Sequence, residues 1–204
     1  MRENGQTTHP SLLLRLRDMR NAEAWEQFVE IYTPLIYGFC RQHGLQDADA
    51  ADVSQEVMQA VAHAIGRFEY DPQRGRFRTW LLTITRNKLR SFLAKQNREP
   101  HSSGETTTLQ SLEEQPSAED ESDWDTAYHR RLFEVAAEQV RPEVQDSTWQ
   151  AFWQMISEEK DGKAVAESLG MSVGAVYIAK SRVLARLRER IRAIDGEAHG
   201  ALEE

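Results

Sequence analysis

Apolar residues recur along this chain every three or four positions, and no stretch alternates apolar and polar for long. Spacing of that kind gathers side chains on one stripe of a helix, whereas a strand needs period two. The pattern predicts an all-α protein. Helices are expected over Ser11–Arg20 and Ala22–Gln42, with Thr33-Pro34 marking a kink or a restart, because proline lacks the amide that continues the helical ladder. Asp49–Phe68 carries Val53, Val57, Val61, Ala64 and Phe68 on one stripe. Glu69–Gly75 reads as a loop from Asp71-Pro72 and Arg74-Gly75, and the apolar residues from Phe77 to Phe92 then mark another long helix.

From Asn97 to Ser122 the chain is rich in Ser, Thr, Glu, Gln and Pro and poor in apolar residues. Too little surface can be buried there to offset the ordering entropy, so residues 99–123 are expected to form a flexible acidic linker. Helical spacing resumes over Trp124–Val140, breaks at Pro142, and returns in Ser147–Ile156, Lys163–Leu169 and Val173–Ile194. The expected organisation is a first helical domain over 1–98, the linker, a second helical domain over 124–194 and a disordered tail over 195–204.

Charge changes the picture. The net charge of −8 over 204 residues argues at first against nucleic acid, but it averages unequal segments. Arg67–Arg98 holds nine Lys/Arg against two Asp/Glu; Glu99–Asp125 holds nine Asp/Glu and no Lys or Arg; Lys163–Ile194 holds seven Lys/Arg against two Glu. Two basic blocks separated by an acidic spacer form a patterned layout that the total conceals. No apolar run approaches the length of a membrane span, and Met1–Pro10 lacks the apolar core of a signal peptide, so a cytoplasmic protein is expected. Cys40, the lone cysteine, excludes an internal disulfide and reads as a buried small hydrophobe.

The strongest local motif is KAVAESLGMSVGAVYIAKSRVLARL, Lys163–Leu187. A helix-turn-helix needs a small residue where its helices cross, a glycine at the turn and an apolar anchor in the second helix. Ala166, Gly170 and Val176 supply these, and Ser172 is placed to cap a second helix whose first turn would enter a major groove. Lys180, Arg182, Arg186, Arg188, Arg190 and Arg192 follow, suited to phosphate contacts. A plain helical hairpin with a solvated basic face would share this spacing; the local excess of positive charge favours DNA.

Two runs in the first half carry a resemblance. Asp49-Ala50-Ala51-Asp52-Val53-Ser54-Gln55-Glu56-Val57-Met58 resembles the region-2 motif of sigma-70 family factors, commonly written DAEDLVQEVF, and Phe77–Asn87 resembles the FRAWLxxIARN motif that follows it. With the helix-turn-helix in the region-4 position and no domain between the modules, the order is similar to that of extracytoplasmic-function sigma factors.

The resemblance implies a transcription initiation factor that is not an enzyme, with no catalytic residues, no metal and no cofactor. Its implied partners are promoter DNA and core RNA polymerase, through the clamp helices of the largest subunit; an anti-sigma protein is a further candidate. The polymerase-docking residues would be Asp49, Asp52, Gln55 and Glu56, which fall on one helix face opposite Val53 and Val57. Ala51 departs from the family's glutamate there. The −10 element would be read and held melted by Arg67, Tyr70, Arg74, Arg76, Arg78, Arg86, Asn87, Lys88 and Arg90, a basic and aromatic set of the kind that holds an unstacked strand. Thr85 replaces the family's alanine. The −35 element would meet Ser172, Tyr177, Lys180, Ser181, Arg182 and Arg186, although Val176–Lys180 lacks the family's usual VKSR or VRSR run. The acidic linker would either thread polymerase channels that otherwise hold nucleic acid or serve as a soluble tether. The rival reading is a helix-turn-helix regulator with a sensing or dimerising first domain, which leaves the acidic face and the basic aromatic loop unexplained.

Overall fold

The computed structural model describes residues 12–67, 77–96 and 118–199, and every regular element among them is helical. The elements are α1 (Leu12–Leu16), α2 (Ala22–Gln42), α3 (Asp47–Ala64) with a 3-10 turn over Ile65–Arg67, α4 (Phe77–Gln96), α5 (Ala118–Val140) with a 3-10 turn over Arg141–Glu143, α6 (Asp146–Ile156), α7 (Gly162–Leu169) and α8 (Val173–His199). The all-α expectation holds. The chain divides into two compact units, one made of the residues up to Arg131 together with those from Glu197 on, the other spanning Leu132–Gly196.

The first unit is built on α2, whose start is capped by the Asn21 side chain accepting from the Ala24 amide at 3.1 Å. Phe28, Tyr32, Ile36 and Phe39 recur at three to four residues along α2 and are all buried. They meet Val53, Val57 and Val61 of α3 and Phe77, Leu81, Leu82 and Leu89 of α4, with Leu12 and Leu16 of α1 also fully enclosed. Phe28, Tyr32 and Phe77 form a ring cluster with centroids 4.7 to 6.1 Å apart, mostly edge to face, an arrangement that adds to plain burial. The α2–α3 turn uses Gly44 at φ +88, and Asp47 at the head of α3 takes Arg41 at 3.0 Å and the Tyr37 hydroxyl at 3.1 Å. Cys40 is buried, and burial pushes its thiol up to about 12, which fits the small-hydrophobe reading.

Three differences from the sequence reading have physical causes. First, α2 continues through Pro34 without the restart that was one of the two expectations there. Proline leaves the carbonyl four residues earlier without its helical donor, and here Arg131 Nε donates to that Glu30 carbonyl at 3.1 Å. Second, α5 begins at Ala118, so residues 118–123 are helical rather than part of a linker, and α5 as far as Arg131 belongs with the first unit. Residues 99–117 lie outside the described residues, as does the Glu69–Gly75 loop. Third, α8 continues to His199, past the expected start of a disordered tail at 195.

The second unit packs Leu132, Val135, Ala136 and Val140 of α5 with Trp149 and Phe152 of α6 and the two helices of the motif. Trp149 stacks on Trp153 with centroids 6.1 Å apart, and the Arg141 guanidinium lies 5.7 Å from the Trp149 ring.

Candidate functional site

Three surfaces hold the residues singled out above. On α3, Val53 and Val57 face inward, so Asp52, Gln55 and Glu56 are exposed and Asp49 is half-buried at the edge. Asp52, Gln55 and Glu56 thus share the outward side of α3. Ser54, on the inward side, keeps its hydroxyl satisfied by donating to the Ala50 carbonyl at 2.6 Å.

Along α4 the structure separates residues that the sequence had grouped. Asn87 and Arg90 are exposed, and Lys88 extends from α4 to Glu56 of the acidic face, 3.3 Å away. Asn87 and the acidic face therefore lie on neighbouring helices joined by an ion pair. Thr85 is buried, its hydroxyl donating to the Leu81 carbonyl at 2.9 Å.

Arg78 and Arg86 differ from the other α4 cations: each is more than nine-tenths buried. Their cover is the first half of α5. Asp120 pairs with Arg86 and lies 3.8 Å from His43 Nε2, while Asp125 stands 3.4 Å from Arg78 Nη1. The Arg78 guanidinium also lies 4.6 Å from the centroid of the Tyr128 ring. Tyr128 stacks on Tyr32 at 5.7 Å with an interplanar angle of 21°, and Trp124 meets Phe39 edge to face at 5.5 Å. An open basic surface at Arg78 and Arg86 is thus corrected to one covered by acids and aromatics, because charge counting along a sequence does not register a cover supplied some 40 residues later. Tyr70, Arg74 and Arg76 and the side chain of Arg67 lie outside the described residues.

In the second unit, Ala166 and Val176 are buried together with Ala151, Val165 and Ala179. Gly170 closes α7 at φ +62, a left-handed conformation that disfavours a side chain, and the Met171 amide donates to the Ala166 carbonyl at 2.9 Å. The Ala175 amide then donates to Ser172 Oγ at 3.2 Å, the expected cap. Ser172, Tyr177, Ser181 and Arg182 are exposed, and Lys180 is half-buried. Tyr177 leans on the start of α7: a Cβ at Gly162 would come within 3.0 Å of its ring. Arg186 is engaged, donating to the Glu143 carbonyl at 3.1 Å and pairing with its carboxylate at 3.2 Å, while Arg190 pairs with the same carboxylate at 2.6 Å.

Residues 28–99 match the family model for sigma-70 region 2, a stretch that contains both motif-bearing helices and the acidic face on the first of them. Over that stretch the chain is similar to the sigma-70 family. It is also similar to the ECF RNA polymerase sigma factor RpoE of Cereibacter sphaeroides, 30% identical over 86 residues. The match takes in 42% of this chain and 46% of the relative, so the chain spans about half the length of the curated relative it matches. For a sigma-70 region 2, the arrangement is informative in what motif reading missed. Asp120, Trp124, Asp125, Tyr128 and His43 complete the surface around Arg78 and Arg86 and were not among the expected site residues. Trp124, Tyr128 and Leu132 at spacings of four did signal a helix, but nothing local said which bundle its first half would join.

Proposed function

We propose that this chain is a sigma factor that binds core RNA polymerase and directs promoter-specific initiation by binding alone, without catalysis. The acidic face of Asp49, Asp52, Gln55 and Glu56 docks on the clamp helices of the polymerase's largest subunit, where basic partner side chains complement it. Asn87, Lys88 and Arg90, together with Arg67, Tyr70, Arg74 and Arg76 earlier in the chain, take the melted −10 strand. Ser172, Tyr177, Lys180, Ser181 and Arg182 meet the −35 duplex from the first turns of α8, with Arg186 at the rim. The observation that carries the reading is the adjacency of the two motif surfaces: the acidic face of α3 and the exposed Asn87 of α4 are bridged by Glu56 and Lys88. Neighbouring faces of this kind support a reading in which polymerase docking and strand capture are carried out side by side on one helical bundle.

Run-off transcription from mapped promoters tests it. Core polymerase should initiate specifically only when this protein is added. Duplex operator binding without polymerase association would instead support a helix-turn-helix regulator and overturn the sigma reading.

A further inference from the structure

The cover over Arg78 and Arg86 has the chemistry of the ligand that such a surface would take. Between Glu119 and Asp125 five of seven residues are acidic, and two of those, Asp120 and Asp125, meet the two buried guanidiniums. A nucleic-acid strand also presents anionic groups at intervals, with flat rings between them. Here the flat rings are Trp124 and Tyr128, seated on Phe39 and Tyr32, and Tyr128 additionally receives the Arg78 guanidinium. Stacking on an aromatic with an adjacent arginine is how single strands are held without regard to sequence.

One feature marks this cover as replaceable. Arg78 is incompletely served: among the described residues its Nε and Nη1 make no hydrogen bond, and its carboxylate partner Asp125 stands 3.4 Å away. A buried guanidinium paired so loosely recovers little of its lost hydration, and a phosphate with several acceptor oxygens would serve it better.

We propose that residues Glu119–Arg131 of α5 are an internal mimic of single-stranded nucleic acid, and that this segment and a single strand occupy the Arg78–Arg86 surface in alternation. The free protein is thereby held back from indiscriminate strand binding. The proposal rests on the sigma reading for its purpose, and on the geometry alone for the alternation.

The test uses the full chain and a short fluorescein-labelled single-stranded DNA followed by fluorescence anisotropy. Replacing both Asp120→Asn and Asp125→Asn should tighten binding by about tenfold, since the competing anions are lost while the side-chain shapes remain. The matched pair Glu121→Gln and Asp123→Asn removes the same charge from exposed positions and should change binding by less than about twofold. Equal effects of the two pairs would reduce the result to net charge and overturn the mimic. Hydrogen exchange on the unmodified chain decides the matter even if the variants fail to fold. Saturating DNA should speed exchange of the amides of residues 120–131, and unchanged or slower exchange there would sink the alternation. Run-off transcription by the same preparation keeps the two readings apart. Core-dependent transcription without alternation removes only the mimic, and alternation without transcription removes only the sigma assignment.

Discussion

The two units carry comparable basic segments in sequence and dispose of them in opposite ways. In the first, Arg78 and Arg86 are enclosed beneath α5, and the cations at the surface of α4 are Lys88 (held by Glu56), Arg90 and Lys95. In the second, Arg182 and Arg188 stand exposed on α8, and Glu143 gathers Arg186 and Arg190 at the edge. A block of positive charge is therefore not yet a positive surface. What decides is whether another element supplies carboxylates together with the apolar area that keeps them in place. Trp124 and Tyr128 do this for the first unit, and α8 has no such partner among the described residues.

Charge reversal tests the comparison most severely. Asp52→Lys with Glu56→Lys should weaken association with core polymerase by about a hundredfold, the scale expected when a docking face opposes its partner's sign. Binding of −35 duplex DNA should be unchanged. Equal loss of both in a binding assay would mean that the two units do not divide the work as proposed.

Next in size is the contrast between buried and exposed arginines. Arg86→Ala leaves Asp120 without its cation and should cost about 2–3 kcal/mol in urea unfolding, less than for a fully enclosed pair because Asp120 keeps some access to water. Arg182→Ala should stay within about 0.5 kcal/mol. Similar costs would erase the distinction drawn here.

Gly170→Ala asks how much the second unit relies on its turn. No atom lies within 4 Å of the added Cβ, so the penalty is conformational alone, about 1 kcal/mol by thermal unfolding. The smallest effect belongs to Glu143→Gln. Its pairs with Arg186 and Arg190 are solvent-accessible, and the loss should be a few tenths of a kcal/mol and vanish in high salt.

Much of this was legible in the sequence because it is local. Helical spacing located α2, α3, α4, α6 and α7 to within a few residues, and Ala166, Gly170, Ser172 and Val176 each take the place in the turn that their chemistry suggested. The acidic face followed from the same periodicity, since Val53 and Val57 fix which side points inward. The start of α5 was not legible. Ala118–Asp123 is acidic and almost without apolar residues, and its composition alone describes a solvated tether. What these residues meet instead is distant in sequence: the Asp120–Arg86 contact spans 34 residues. The burial of Arg78 and Arg86 was hidden for the same reason, as was the continuity of α2 through Pro34.

That last contact has a consequence in time. Arg131 closes on Glu30 across 101 residues, so this protein donor reaches the carbonyl left open by Pro34 only after most of the chain has been made, and water serves it until then. The ribosome releases α2, α3 and α4 first. At about 5–20 residues per second, the 35 residues between Gln96 and Arg131 occupy roughly 2–7 s of synthesis. A bundle that folds during those seconds would do so with Arg78 and Arg86 still uncovered, since Asp120 and Asp125 follow later in the chain. The order of synthesis thus gives each molecule an early open period, before its own later residues arrive to shut it.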